Sequence, residues 1–356
     1  MIICENKRFH NLLLVFGNNI IVINKLNLRD LYNHHTDMDF SKVYVRNSEY
    51  PNKSSIALLT PKDVRTLTQY GFFVFIEMSE TRIFPDEDYL NSGGILTIEP
   101  WYSQLHHDCL IIGWSPPEEL DKLHQHSHLC VSNRATEECL SKFENTQSSL
   151  YFCETVLQSD LSLYTLAGYV ATSLGLSHLY ARLVEQRTLG EVGQWKTKEA
   201  LLKLLTYYFH DWKTNTIGIL DNHSHYGKGV MSMLNDLKME YTHIEKSKID
   251  TIRQFDVVFI CNNEYPECTK EILDTIYHKE RKHSVWIDVS GEITKHLHSF
   301  CPRHSTIYKP VLEICDTLDI IALDNYNLLF PEITSIEVST MILNIVTYIT
   351  PLQKDV

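Results

Sequence analysis

The chain has 356 residues and a formal net charge of -13. That length suits two domains, and 44% hydrophobic with 22% charged residues suits a globular protein that buries a sizeable core. The acidic balance argues against a nucleic-acid backbone as partner, because phosphate binding needs clustered Lys and Arg. Nine cysteines without a Cys-x-x-Cys pair leave at least one thiol free and read as a reducing compartment, so a cytoplasmic location is expected.

Residues 1–40 read as an N-terminal extension. Leu12 to Phe16 and Ile20 to Ile23 are apolar, and Gly17-Asn18-Asn19 interrupts them. This pattern fits a hairpin better than a signal peptide or a membrane span. Val43-Tyr44-Val45 is a short strand candidate. Thr60 caps the next helix, Pro61 suits its first position, Asp63 completes a capping-box-like pattern, and Gly71 ends it in a left-handed conformation. Phe72 to Ile76 is a continuous apolar run, as a buried parallel strand requires. Cys109 to Gly113 and His128 to Ser132 repeat that pattern. Leu161 to Glu185 predicts a long helix on which Gly168, Ala171 and Gly175 allow close packing, and Lys196 to Trp212 predicts another. A second α/β unit begins with a strand at Thr216 to Leu220. A helix over Gly229 to Lys238 follows, then strands over Tyr241 to Ile244, Val257 to Ile260 and Val285 to Val289. A last helix, near Ser335 to Tyr348, is expected to fold back on the first domain. Strand and helix alternate, which predicts an α/β protein with parallel sheets.

Six stretches stand in a fixed order. They are Leu59-Thr60-Pro61; Glu77 through Tyr89 with Gly93; Ile111-Ile112-Gly113; Leu150-Tyr151 with Glu154; Ile287-Asp288-Val289-Ser290; and Ala322 to Tyr326 followed by Leu329 to Glu332. Together they resemble the NAD-dependent, lysine-forming saccharopine dehydrogenases and their alanine dehydrogenase relatives, over roughly residues 43–348. The resemblance implies two Rossmann-like domains with parallel sheets and an interdomain cleft. Its domains would be the extension 1–40, an N-terminal-like domain over 41–165 plus 322–356, and a dinucleotide-binding domain over 166–321. The family binds NAD and interconverts saccharopine with lysine and 2-oxoglutarate.

The chain departs from that family where chemistry is done. The family's proton-transfer lysine and histidine fall at Ser115 and Asn133, and neither titrates near neutral pH. His126 and His128 are the nearest substitutes. The family's arginine before its Thr-Pro falls at or near Ile56, and its later Arg pair falls at Ser162-Leu163. Losing bidentate Arg contacts costs recognition of a dicarboxylate. Arg46, Glu77, Ser79, Arg82 and Asp324 are the expected substrate-side residues.

On the cofactor side, Asp221 and Ser224 stand where the first glycines of the phosphate turn would be. A side chain crowds that turn and an aspartate repels a phosphate, which counts against NAD binding without excluding it. The expected cofactor residues are Asn222, Ser224, Gly227, Glu245, Asp288 and Ser290, with Glu245 at the acidic ribose position. His126 and His128 alternate on a strand and could share one face toward zinc, but no carboxylate or cysteine stands at ligand spacing, so no metal is expected.

Two readings follow. One is a diverged NAD(H)-dependent oxidoreductase that condenses an amino acid or amine with a 2-oxo acid. The other is a catalytically inactive pseudoenzyme that keeps the fold as a binding or interaction protein. A small amino-acid or 2-oxo-acid ligand, or a protein partner, is expected, and neither nucleic acid nor membrane.

Overall fold

The structure is a computed structural model that describes residues 2–6, 11–16, 19–24, 40–47, 55–103, 109–132, 135–153, 162–209, 216–221, 223–261, 283–290, 305–315, 317–323 and 326–349. The chain divides into two compact units, Met1–Asp160 with Glu332–Val356, and Leu161–Pro331. Both are α/β. Among the described residues no helix is long and apolar enough to cross a membrane.

Unit 1 opens with an antiparallel meander of β1 (Ile2–Asn6), β2 (Asn11–Phe16) and β3 (Asn19–Asn24). The apolar runs around Gly17-Asn18-Asn19 pair as β2 and β3, and β1 adds a strand that their pattern does not announce. Six parallel strands follow with helices between them. They are β4 (Lys42–Val45), α1 (Pro61–Gln69), β5 (Phe73–Glu77), α2 (Asp86–Asn91), β6 (Ile95–Thr97), β7 (Cys109–Gly113), β8 (Ser127–Cys130), α3 (Glu137–Asn145) and β9 (Ser149–Phe152). The sheet order is β3-β2-β1-β9-β8-β7-β4-β5-β6.

Unit 2 begins with α4 (Ser162–Leu183) and α5 (Lys198–Phe209). It continues with β10 (Ile217–Leu220), α6 (His225–Asp236), β11 (Thr242–Ile244), β12 (Val257–Ile260), β13 (Ser284–Asp288), β14 (Val311–Cys315) and β15 (Leu318–Ile321). The order is β11-β10-β12-β13-β15-β14, parallel except for β14 against β15. The chain then enters α7 (Pro331–Ile349), whose body belongs to unit 1.

Buried hydroxyls pin α7 to the start of α1. The Thr60 hydroxyl donates to Asp63 Oδ2 at 2.9 Å and accepts from the Asp63 amide at 3.2 Å. Ser339 Oγ, one turn past Ser335 on α7, donates to the same carboxylate and accepts from the Thr60 amide at 2.8 Å. Ser335 Oγ accepts from the Ala57 amide at 2.8 Å. The Thr60 cap thus satisfies the Asp63 amide, while Ser339, more than 270 residues downstream, takes the Thr60 amide that a capping-box carboxylate would otherwise accept.

In unit 2 the helix expected from Gly229 starts one turn earlier, at His225, because Ser224 caps it. Gly229 therefore lies inside α6, where it meets α4. A Cβ on Gly229 would lie 1.9 Å from Thr165 O, and one on Gly168 would lie 2.0 Å from Tyr226 O. The two glycines let the helix backbones touch. At the other end of unit 2, buried Asp319 takes hydrogen bonds on Oδ2 from His178 Nε2 (2.8 Å) and His283 Nε2 (2.9 Å), with Arg182 Nε 3.5 Å away. Burial would raise the Asp319 carboxyl, but these two imidazoles outweigh it and hold it well below the usual carboxylate range.

The core of unit 1 contains a histidine. His128 is fully buried on β8, edge-on to Trp101 at 4.9 Å and to Phe143 at 5.3 Å, and neither ring nitrogen has a partner. Burial holds its pKa well below the ordinary value, and the charges of Arg46 and then His126 add to the effect.

Two outcomes follow from this packing. Gly229→Ala drives a methyl into backbone and should cost more than about 3 kcal/mol, beyond ordinary overpacking. Gly71→Ala, at φ +92 with open space around it, should cost only about 1 kcal/mol, so urea unfolding of the two variants separates steric from conformational strain. His128 binds its proton more weakly folded than unfolded, so stability falls as pH drops below about 6.5, by up to ~1.4 kcal/mol per pH unit. His128→Phe should remove that slope, which denaturation midpoints between neutral and mildly acid pH would reveal.

Candidate functional site

In an open α/β sheet, ligands bind beyond the carboxyl ends of the strands, where the strand order reverses. In unit 1 that point lies between β4 and β7. Arg46 leaves β4 there. Its amide continues the ladder to Ile112 O at 2.9 Å, and its Nη1 donates to Ser115 O at 3.0 Å. Gly113 makes room, since a Cβ on it would sit 2.7 Å from Arg46 Nη1. The guanidinium thus lies against the Gly113–Ser115 backbone, and Ser115 meets it through a main-chain carbonyl.

The other substrate-side residues are occupied with local structure. Glu77, at the end of β5, accepts from the Asn47 amide at 2.6 Å. Arg82 Nη1 donates to Glu77 O at 3.1 Å, its Nη2 pairs with Asp86, and its guanidinium lies 4.3 Å over the Tyr89 ring. Only 6% of that side chain is exposed, so Arg82 fixes the loop after β5. Ser79 is half-buried, and its hydroxyl lies 3.4 Å from the Thr81 hydroxyl. Asn133 and Asp324 lie outside the described residues.

The expected histidine substitutes sit elsewhere. Gly113 pairs with Cys130, at the carboxyl end of β8. His128 lies two residues before it and faces the core, and buried His126 precedes the strand, its Nδ1 accepting from the His124 amide at 3.2 Å. The geometry therefore corrects the proton-transfer expectation for both: a desolvated ring in the core does not reach Ser115.

In unit 2 the order reverses between β10 and β12. Asp221 follows β10 with φ +60, the left-handed conformation that glycine usually supplies and aspartate tolerates. Ser224 Oγ donates to Asp221 O at 2.9 Å and accepts from the Gly227 amide at 3.0 Å. Glu245 follows β11, exposed, 3.2 Å from Lys248 Nζ. Asp288 ends β13 and is fully buried; the Ser290 hydroxyl donates to its Oδ1 at 3.2 Å. Asn222 lies outside the described residues.

Cys261, after β12, and Tyr326 complete this end of the sheet, and the sequence reading missed both. The Tyr326 hydroxyl donates to Asp288 O at 3.0 Å. Burial pushes the Cys261 thiol well above its ordinary pKa, and the charges of Asp221 and Asp288 push it further. The only advance signal was position: Cys261 directly follows an apolar strand run.

A dinucleotide's pyrophosphate needs open N–H groups at the start of the helix and backbone room in the turn. Here the Gly227 amide is taken by Ser224, and Asp221 holds the left-handed position where a glycine would leave room. Both features work against a pyrophosphate in this turn. Glu245 alone keeps a ribose-type position, and its charge is met by Lys248.

Asp319, His178 and His283 have the composition of a metal site but not its chemistry. His178 Nδ1 accepts from the Leu189 amide at 3.3 Å, so its proton sits on Nε2, the nitrogen a metal would need. Among the described residues no group of three such side chains is arranged to hold a metal ion.

No family model matches the chain. Over 118 residues it is 31% identical to the NAD(+), L-lysine-forming saccharopine dehydrogenase of Yarrowia lipolytica, which is 32% of each chain. Over 160 residues it is 27% identical to the enzyme of the same name from Candida glabrata, 41% of this chain and 43% of the relative. The match therefore spans less than half the length of either curated relative. Among solved structures, an L-alanine dehydrogenase superposes with a TM-score of 0.61 at 16% identity, over 86% of this chain and 88% of that one. A transhydrogenase from Sinorhizobium meliloti gives 0.59 at 13% identity, over 85% and 93%. Over part of its length the chain is similar in sequence to the saccharopine dehydrogenases, and over most of it its fold is similar to that of an alanine dehydrogenase.

Proposed function

We propose that this chain is a catalytically silent relative of the dehydrogenases that keeps their fold as a binding or interaction protein. One observation carries the reading: the turn between β10 and α6 is closed by its own side chains, Ser224 on the Gly227 amide and Asp221 in the left-handed position. Hydride transfer needs a held nicotinamide, and this turn offers its cofactor a carboxylate in place of a cradle. Unit 1 supports the same reading, since Ser115 cannot move a proton and Arg46 is engaged with its carbonyl. A small amino-acid or 2-oxo-acid ligand or a protein partner is the kind of occupant this reading implies, and a cytoplasmic setting suits the buried cysteines, which form no disulfide among the described residues.

A second reading, a diverged NAD(H)-dependent oxidoreductase condensing an amine with a 2-oxo acid, draws on the names of the curated relatives and on Glu245 at the end of β11. Titration with NADH and NADPH, followed by nicotinamide fluorescence, separates the two. The silent reading expects no saturable signal at millimolar cofactor. Saturation below that range would sink it, and Asp221→Gly with Ser224→Gly should then tighten binding by removing the obstacles named above.

A further inference from the structure

A parallel sheet normally hides its edges and both faces. β6 ends the unit 1 sheet, and no strand lies beyond it among the described residues. Apolar side chains flank this open rim. Register pairs Phe75 with Ile95, so Phe73 and Ile95 share one face, and they are 58% and 40% exposed. At the strand's carboxyl end the Met78 amide donates to Thr97 O at 3.0 Å, which sets exposed Met78 beside Ile98, itself 81% exposed. Leu90 of α2, which packs on β6, is 53% exposed. Exposed apolar side chains gathered on both faces of an open sheet edge mark an interaction surface.

The charge around the rim selects its occupant. Exposed Glu87 and Asp88 share α2 with Leu90, Glu80 follows Met78, and Glu99 follows Ile98. A second copy of the chain would bring these carboxylates against themselves. We propose that the β6 rim docks an extended segment of a partner protein that alternates apolar and basic residues. Its backbone would continue the sheet, its apolar side chains would cover Phe73 and Ile95 on one face, and its lysines or arginines would meet the acidic frame on the other. The inference stands apart from the question of catalysis.

The full chain can be titrated with a fluorescein-labelled peptide of alternating isoleucine and lysine, and with an isoleucine–glutamate twin. Saturable binding of the lysine peptide is expected, weakened by salt and by at least about tenfold in Ile98→Arg and in Ile95→Arg. Tyr207→Arg, on an exposed site in unit 2, should change nothing. Circular dichroism confirms that each variant folds, and amide exchange should show the outward-facing Leu96 amide protected by the peptide. Equal affinity for the glutamate twin, indifference to both rim substitutions, or dimers of the chain itself that Ile98→Arg dissolves would overturn the proposal. NADH titration reads none of these outcomes, so the two accounts fail separately.

Discussion

The close approach of α4 and α6 through Gly168 and Gly229 governs unit 2. No side chain fits between these backbones, so α6 can hold only one position, with its first turn fixed beneath β10. That position sets the Asp221–Ser224 turn, and the turn in turn decides what the carboxyl end of the sheet can receive. In a dinucleotide-binding unit the glycines serve both the turn and the packing. Here the packing glycine survives inside the helix, while the turn carries a carboxylate and a hydroxyl. Structural demand and ligand demand have come apart in one short segment.

Unit 1 shows the same separation. The hydroxyls of Ser335 and Ser339 reach back to Ala57, Thr60 and Asp63, so the Leu59-Thr60-Pro61 stretch serves to hold α7. Arg82 and Asp86, also family-like, secure a loop over Tyr89. Arg46 rests on the Ser115 carbonyl. Each of these residues has a local structural role in this fold, whatever chemistry the site supports.

Much of this architecture was legible in the chain. Pro61, Thr60 and Gly71 announced α1 through cap and terminator chemistry, and the continuous apolar runs announced β5, β7, β12 and β13. The start of α6 was misplaced by one turn because Gly229 looked like a boundary, whereas Ser224 supplies the cap. β6, β14 and β15 were not foreseen, since short strands leave little period to read. For the sites, Asp221 and Ser224 were visible as intruders in a glycine turn. The burial of His128 was not, because alternation shows which residues share a face but not which face is dry. The Asp319 node joins residues 36 and 141 positions apart, and no local pattern reports such a meeting.

The central claim is that the Gly227 amide is already committed to Ser224 and that no pyrophosphate displaces it. Amide hydrogen exchange across residues 221–229, with and without millimolar NADH, tests this directly. The account predicts superimposable exchange; slowed exchange at Gly227 and its neighbours on adding the nucleotide would contradict it.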